Sequence, residues 1–151
     1  MIQKDDLVIV AHLRQNARIS LTKLAHKTGM PVSTLYDRVH ALDRLGVTRL
    51  CALLDFGTLG FRTQAMLLLK TTKRDELQEY LRTAWPVNTL VRINNGYDFL
   101  AECIFKDLRE LEEFCEKLQK NYGVRNIETH LLVEELAREN FLADPKEVPH
   151  E

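Results

Sequence analysis

The sequence predicts an α+β protein, with an N-terminal winged helix-turn-helix followed by a C-terminal ferredoxin-like βαββαβ sandwich. Three observations carry this expectation. Residues 4–46 hold three short apolar stripes at three- and four-residue spacing, interrupted at 16–20 and 29–31. Residues 62–134 run strand, helix, strand, strand, helix, strand. Charge divides at the same place: residues 1–50 hold 8 Lys/Arg against 4 Asp/Glu, while the remainder holds 13 against 18. The expected organisation is a helix-turn-helix domain over 1–50, a linker strand and hinge over 51–61, a sheet domain over 62–134 and a tail over 135–151.

Asp5 or Asp6 opens a first helix running to about Asn16, with Leu7, Val10 and Leu13 inward and Ile9 beside them. Asn16 to Ser20 is a turn, and Ser20 suits the N-cap of a second helix to Thr28 that Gly29 ends. Pro31 fits the first turn of a third helix, whose buried stripe is Leu35, Val39, Leu42 and Leu45, with Gly46 after it. Ser33, Thr34, Asp37, Arg38, His40 and Arg44 lie opposite that stripe. Two short helices joined through Gly29-Met30-Pro31 form a helix-turn-helix, whose second member can enter a DNA major groove. The competing reading is a helical hairpin inside a core.

Residues 47–55 turn β-prone, and Gly57 and Gly60 then break any regular element. The sheet domain follows: a strand over 64–71, a helix over 74–84, strands over 87–94 and 97–105, a helix from Asp107 to Tyr122, and a strand over 125–133. Asn95-Gly96 between the middle strands is a tight-hairpin signal. Asp107 and Glu110 read as a capping box. Glu134 to Leu142 has the spacing of a short amphipathic helix, Asp144-Pro145 ends regular structure, and Lys146 to Glu151 is expected to fray. Two helices cover one face of a four-stranded sheet. The strands are nonetheless apolar on both sides, with Met66 and Leu68 against Leu67 and Leu69, and Leu100 and Ile104 against Phe99, Cys103 and Phe105. An uncovered apolar face marks an association surface, and a symmetric homodimer closes it most simply.

Nearly half of the 151 residues are apolar and 28% are charged, an ordinary globular composition. No apolar run reaches the roughly 20 residues a membrane span needs, and no signal-peptide pattern opens the chain, so a cytoplasmic, nucleoid-associated protein is expected. Cys51, Cys103 and Cys115 suggest neither a disulfide framework nor zinc. His12, His26, His40, His130 and His150 lack ligand spacing, and no metal or other cofactor is expected.

Arg38 is the first candidate for a base or phosphate contact, against a surface arginine bridging near Asp37 or Asp43. Ser33, Thr34 and Tyr36 stand at the helix start, near phosphates and base edges, with capping or half-burial as the competing roles. His40 shares their face. Arg44, Arg18 and Lys23 suit backbone contacts, which give salt-dependent affinity. Asp37 repels phosphate, so it reads a cytosine or orients Arg38.

Together these pieces resemble the leucine-responsive regulator/AsnC, or feast/famine, family. The similar stretches are 16–25, 33–39 and 42–47, then Ala52 to Asp55 with Leu59-Gly60-Phe61, Gly96-Tyr97-Asp98 and Tyr122-Gly123-Val124. The resemblance implies a DNA-binding transcriptional regulator. Its sheet domain would dimerise, its dimers would assemble into octamers or similar rings, and an amino acid would bind at the dimer–dimer interface, near Asn95, Gly96, Tyr97, Asp98 and Thr129. Asp98 beside Tyr97 is the best effector candidate, since a carboxylate there can receive an ammonium group, against a turn-stabilising aspartate. Departures from the family pattern are Asn95 and Gly96 in place of glycine and an acid, Ile127 in place of a threonine, Pro31-Val32 in place of Ser-Pro, and a longer acidic tail. Two other functions compete: a sirohaem-decarboxylase-like enzyme on the same architecture, or an assembly modulator of related regulators.

Overall fold

The computed structural model describes residues 2–148, so His150 and the end of the expected frayed tail lie outside it. Two compact units form, one from residues 1–53 with 136–151, the other from residues 54–135.

The first unit packs α1 (Lys4–Gln15), α2 (Leu21–Thr28) and α3 (Val32–Arg44) around Ile9, Leu24, Leu35 and Leu42, each 0–2% exposed. Val10, Leu13, Ile19, Leu21, Met30 and Val39 close in around them. Ile9 and Ala11 take the most buried places on α1, and Leu7 only flanks them. Ser20 caps α2, accepting from the Lys23 N–H at 3.3 Å, and Gly29 turns the chain with φ 72°. After α3, Gly46 adopts φ 69°, its N–H donates to the Asp43 carbonyl, and the Val47 N–H donates to that of Leu42. This pair of bonds is a Schellman stop. It strands Leu45 at 66% exposure, contrary to the inward position expected for it.

The predicted wing and linker strand do not form. The one sheet among the described residues is four-stranded and belongs to the other unit. Residues 47–55 therefore have no neighbouring strand to take their backbone groups. The expected tail helix is also absent. A 3-10 turn at Pro145–Glu147 is the sole regular element of residues 132–148, and Val148 after it is 1% exposed rather than frayed.

The second unit orders β1 (Thr63–Thr71), α4 (Arg74–Thr83), β2 (Val87–Arg92), β3 (Phe99–Phe105), α5 (Leu108–Asn121) and β4 (Val124–Leu131). The antiparallel sheet runs β2-β3-β1-β4. Leu67, Leu69, Phe99, Ala101 and Cys103 face the helices and are fully buried with Leu77, Leu81 and Leu118. Burial pushes the Cys103 thiol up to about 12. Asp107 caps α5 by accepting the Glu110 N–H, while the Glu110 carboxylate reaches the Lys106 N–H, so the expected box is displaced by one residue. On the far face β1 offers Gln64, Met66, Leu68 and Lys70, in register with Ile104, Glu102 and Leu100 on one side and His130, Glu128 and Asn126 on the other. No element of this unit covers that face. No described helix is long and apolar enough to cross a membrane.

Candidate nucleic-acid interface and hairpin loop

The periodicity of α3 sets an outward stripe. Ser33, Tyr36, Asp37, His40 and Arg44 are exposed along it, and Thr34 is partly buried at its edge. The Tyr36 and His40 rings meet edge-on with centroids 4.3 Å apart, one helical turn from each other. Pro31 occupies the N-cap and offers no side-chain acceptor, so the first N–H groups of α3 face outward uncapped. At the start of α2, the Lys23 side chain is exposed, as is Arg18 in the preceding turn.

Arg38 sits differently. Its Nη1 donates to Asp6 Oδ1 at 2.7 Å and its Nη2 to Gln3 Oε1 at 3.0 Å, with Asp5 Oδ2 at 3.5 Å. The partner is therefore the N-terminus of α1, neither Asp37 nor Asp43. Asp6 is 8% exposed, and its second oxygen accepts the Gln3 N–H at 2.8 Å. Burial works to raise its pKa. The Gln3 N–H and the Arg38 guanidinium outweigh that, and its carboxyl titrates below the usual range. Asp5 and Asp6 look like helix-opening acids in the sequence; their long-range partner Arg38, 32 residues beyond Asp6, leaves no periodic trace.

The hairpin joining β2 to β3 closes with the Ile93 N–H donating to the Asp98 carbonyl. Asn95 and Gly96 have φ of 63° and 96°, the paired positive values of a type I′ turn. Tyr97 lies on the open sheet face, where its hydroxyl donates to Glu128 Oε2 at 2.7 Å and accepts from Asn126 Nδ2 at 3.2 Å. Glu128 Oε1 lies 2.8 Å from His130 Nε2. The phenol is shifted up, first by the Glu128 bond, and Glu128 is shifted down, first by the Tyr97 hydroxyl.

Asp98 turns inward and is 5% exposed. Oδ2 accepts the Thr71 N–H at 2.9 Å, while Oδ1 accepts Arg74 Nη2 at 2.6 Å and Nε at 3.1 Å, with Lys70 Nζ at 3.7 Å. The Thr71 N–H, foremost, holds this carboxyl below its usual range against the effect of burial, aided by Arg74 and Lys70. Both oxygens thus accept from the protein's own groups, the arrangement that the competing turn-stabilising role calls for. Thr129 pairs with Leu67 in register, on the helix face of β4. Within one protomer the five residues expected around an effector lie apart. Asn95 and Gly96 are at the exposed tip, Tyr97 is on the open face, Asp98 is buried beneath it, and Thr129 is on the opposite face.

Two family models match the chain. The AsnC-type helix-turn-helix domain matches residues 4–43, and the Lrp/AsnC ligand binding domain matches residues 62–141. An uncharacterized HTH-type transcriptional regulator of Pyrococcus abyssi is 30% identical over 131 residues, covering 84% of this chain and 83% of its own. One from Pyrococcus furiosus is 29% identical over 149 residues, covering 93% of each. A Neisseria meningitidis transcriptional regulator solved with L-methionine superposes with a TM-score of 0.85 at 20% identity, covering 91% of this chain and 94% of that one. LrpC of Bacillus subtilis superposes at 0.83 and 19%, covering 91% and 98%. At such identities the likeness establishes the shared fold. The matched models together span both units, and the chain belongs to the Lrp/AsnC family of HTH-type transcriptional regulators.

Proposed function

We propose that this regulator reads double-stranded DNA in the cytoplasm, on the nucleoid, with α3 as the recognition helix. The observation that carries the reading is the exposed stripe of Ser33, Tyr36, Asp37, His40 and Arg44 on the second helix of a helix-turn-helix. Arg44, Arg18 and Lys23 contact phosphates, and Ser33, Tyr36 and His40 reach base edges. Arg38, drawn back toward α1, sets the helix rather than reading a base. An excess of four cations in residues 1–50 is modest for phosphate binding. A homodimer formed through the open sheet face doubles it, and further assembly of dimers multiplies it again. A small effector, an amino acid, acts near the Asn95–Tyr97 tip. The methionine held by the Neisseria regulator supports that class of ligand.

The test is selection of genomic fragments at low and physiological salt by the wild type, Tyr36→Ala and Arg44→Ala. A two-fold motif with half-sites about one or two helical turns apart supports the reading. Both variants should weaken that enrichment. Failure of the wild type to enrich any motif at low salt refutes it.

A further inference from the structure

The helix-turn-helix unit is not contiguous in sequence, because residues after 135 return to it. Three observations show that this return is built. Glu139 and Leu142, neither a glycine, both hold φ 53°. Such backbone persists only where surrounding contacts over-determine it. Arg14 Nη2, near the C-terminal end of α1, donates to the Glu139 carbonyl and to its Oε2 at 2.9 Å. The 3-10 turn at Pro145–Glu147, capped by Asp144 accepting the Lys146 N–H at 2.9 Å, packs against α1 and leads into buried Val148.

α1 is thus gripped twice. Glu139 holds Arg14 at one end, and at the other Asp6 holds Arg38 of α3. A 12-residue helix is a stiff rod about 18 Å long, so a displacement at one grip is felt at the other. We propose that residues 136–148 are a positioning strap that, through α1 and the Asp6–Arg38 pair, holds the recognition helix in its DNA-reading place. Glu139 and Val148 act as positioning residues and touch no DNA. The strap also gives the sheet unit a second covalent tie to the helix-turn-helix, from β4 through residues 132–135, beside the linker that follows α3. The effect on DNA rests on the reading of α3 proposed above.

The sign of the change in affinity separates positioning from simple charge. Glu139, Asp144 and Glu147 outnumber Arg138 and Lys146 in the strap by one, so if its carboxylates merely screened the basic unit, removing one would raise DNA affinity and steepen its salt dependence. Positioning demands the reverse.

The experiment compares full-length wild type, Glu139→Gln, Val148→Ala and Val148→Ile. One readout is amide hydrogen exchange of the free protein, the other fluorescence anisotropy on a duplex recovered in the fragment selection, or on a random duplex at low salt. Val148→Ala should speed exchange in α1 and α3 by about tenfold, the scale of partly unburying a valine, while the sheet amides stay unchanged. It should weaken DNA binding by a similar factor, and Val148→Ile should retain both properties. Glu139→Gln should weaken binding about twofold to fivefold, the range of a half-exposed ion pair. Combined with Asp6→Asn, it should cost less than the product of the two single effects, as for residues acting through one element. Unchanged exchange in α1 and α3, or a gain in affinity on losing Glu139, overturns the proposal. A wild type that binds no DNA refutes the regulator reading, and the exchange data still decide the strap.

Discussion

Removing the Asp98 side chain tests whether the hairpin aspartate is a structural keystone or a ligand acceptor. In Asp98→Ala the buried Thr71 N–H loses its acceptor, a cost of about 1–3 kcal/mol. The ion pair with Arg74 adds less, because that side chain is 54% exposed and water can take over its hydrogen bonds; about 0–1 kcal/mol is the appropriate scale. The expected total is about 1–4 kcal/mol. Asp98→Asn keeps an oxygen for Thr71 but turns an amide toward Arg74 and Lys70, so its cost should be roughly half or less. Urea unfolding followed by circular dichroism measures both, and the loss should fall on the transition of the sheet unit. Fluorescence of the single Trp85 is a poor alternative, because that side chain is already 85% exposed in the folded protein. Equal stability of wild type and Asp98→Ala, with loss of amino-acid binding, would refute the keystone argument in favour of the ligand role.

Arg38→Ala should destabilise the helix-turn-helix unit by about 1.5–3 kcal/mol, since buried Asp6 loses a charge-assisted bond, and thermal melts should show it. Tyr36→Ala, on an exposed face, should leave the melt unchanged while weakening sequence-specific binding by about 1–3 kcal/mol in anisotropy titrations. Gly123→Ala should cost about 1–3 kcal/mol, because φ is +60° and the added Cβ would lie 2.6 Å from Thr72 Oγ1; Thr72→Ala should recover part of that in melts. Asp6 and Asp98 both titrate below their unfolded values. Their contribution is therefore complete above the usual carboxylate range near pH 4 and disappears as pH falls through the lowered folded values. Replacing either by asparagine should flatten the acid limb of a stability-against-pH curve.

The helices and strands were legible because each writes a short-range period into the chain. Leu35, Val39 and Leu42 repeat at helical spacing, and Ala65, Leu67 and Leu69 alternate with Met66 and Leu68. The turn at Asn95-Gly96 and the stop at Gly46 were equally local. Contacts that cross the chain left no such mark. Arg38 shares its helix with Asp37 and Asp43, and nothing in their spacing points to an acid 32 residues upstream. Asp98 looks exposed beside a turn, and only the antiparallel placement of β1 brings Thr71 and Arg74 to it. The linker misled for a related reason: Leu50, Leu53 and Leu54 have β character, but a strand needs a neighbour that this chain does not supply. The tail misled through the apparent helical spacing of Leu136, Phe141 and Leu142, which says nothing of Val148 being buried.

The return of residues 136–148 to the first unit also has a temporal side. A ribosome releases α1, α2 and α3 early, yet the segment that completes their unit comes after the whole sheet has been made. About a hundred residues separate Arg44 from Val148, which is on the order of 5–20 s of translation. During that interval the nascent helices lack the grip on Arg14, and the sheet unit is free to fold first. A polypeptide cut short by a damaged message would therefore carry an intact set of helices and an unfinished reading head. On the strap proposal, such fragments would bind DNA more weakly than the finished protein.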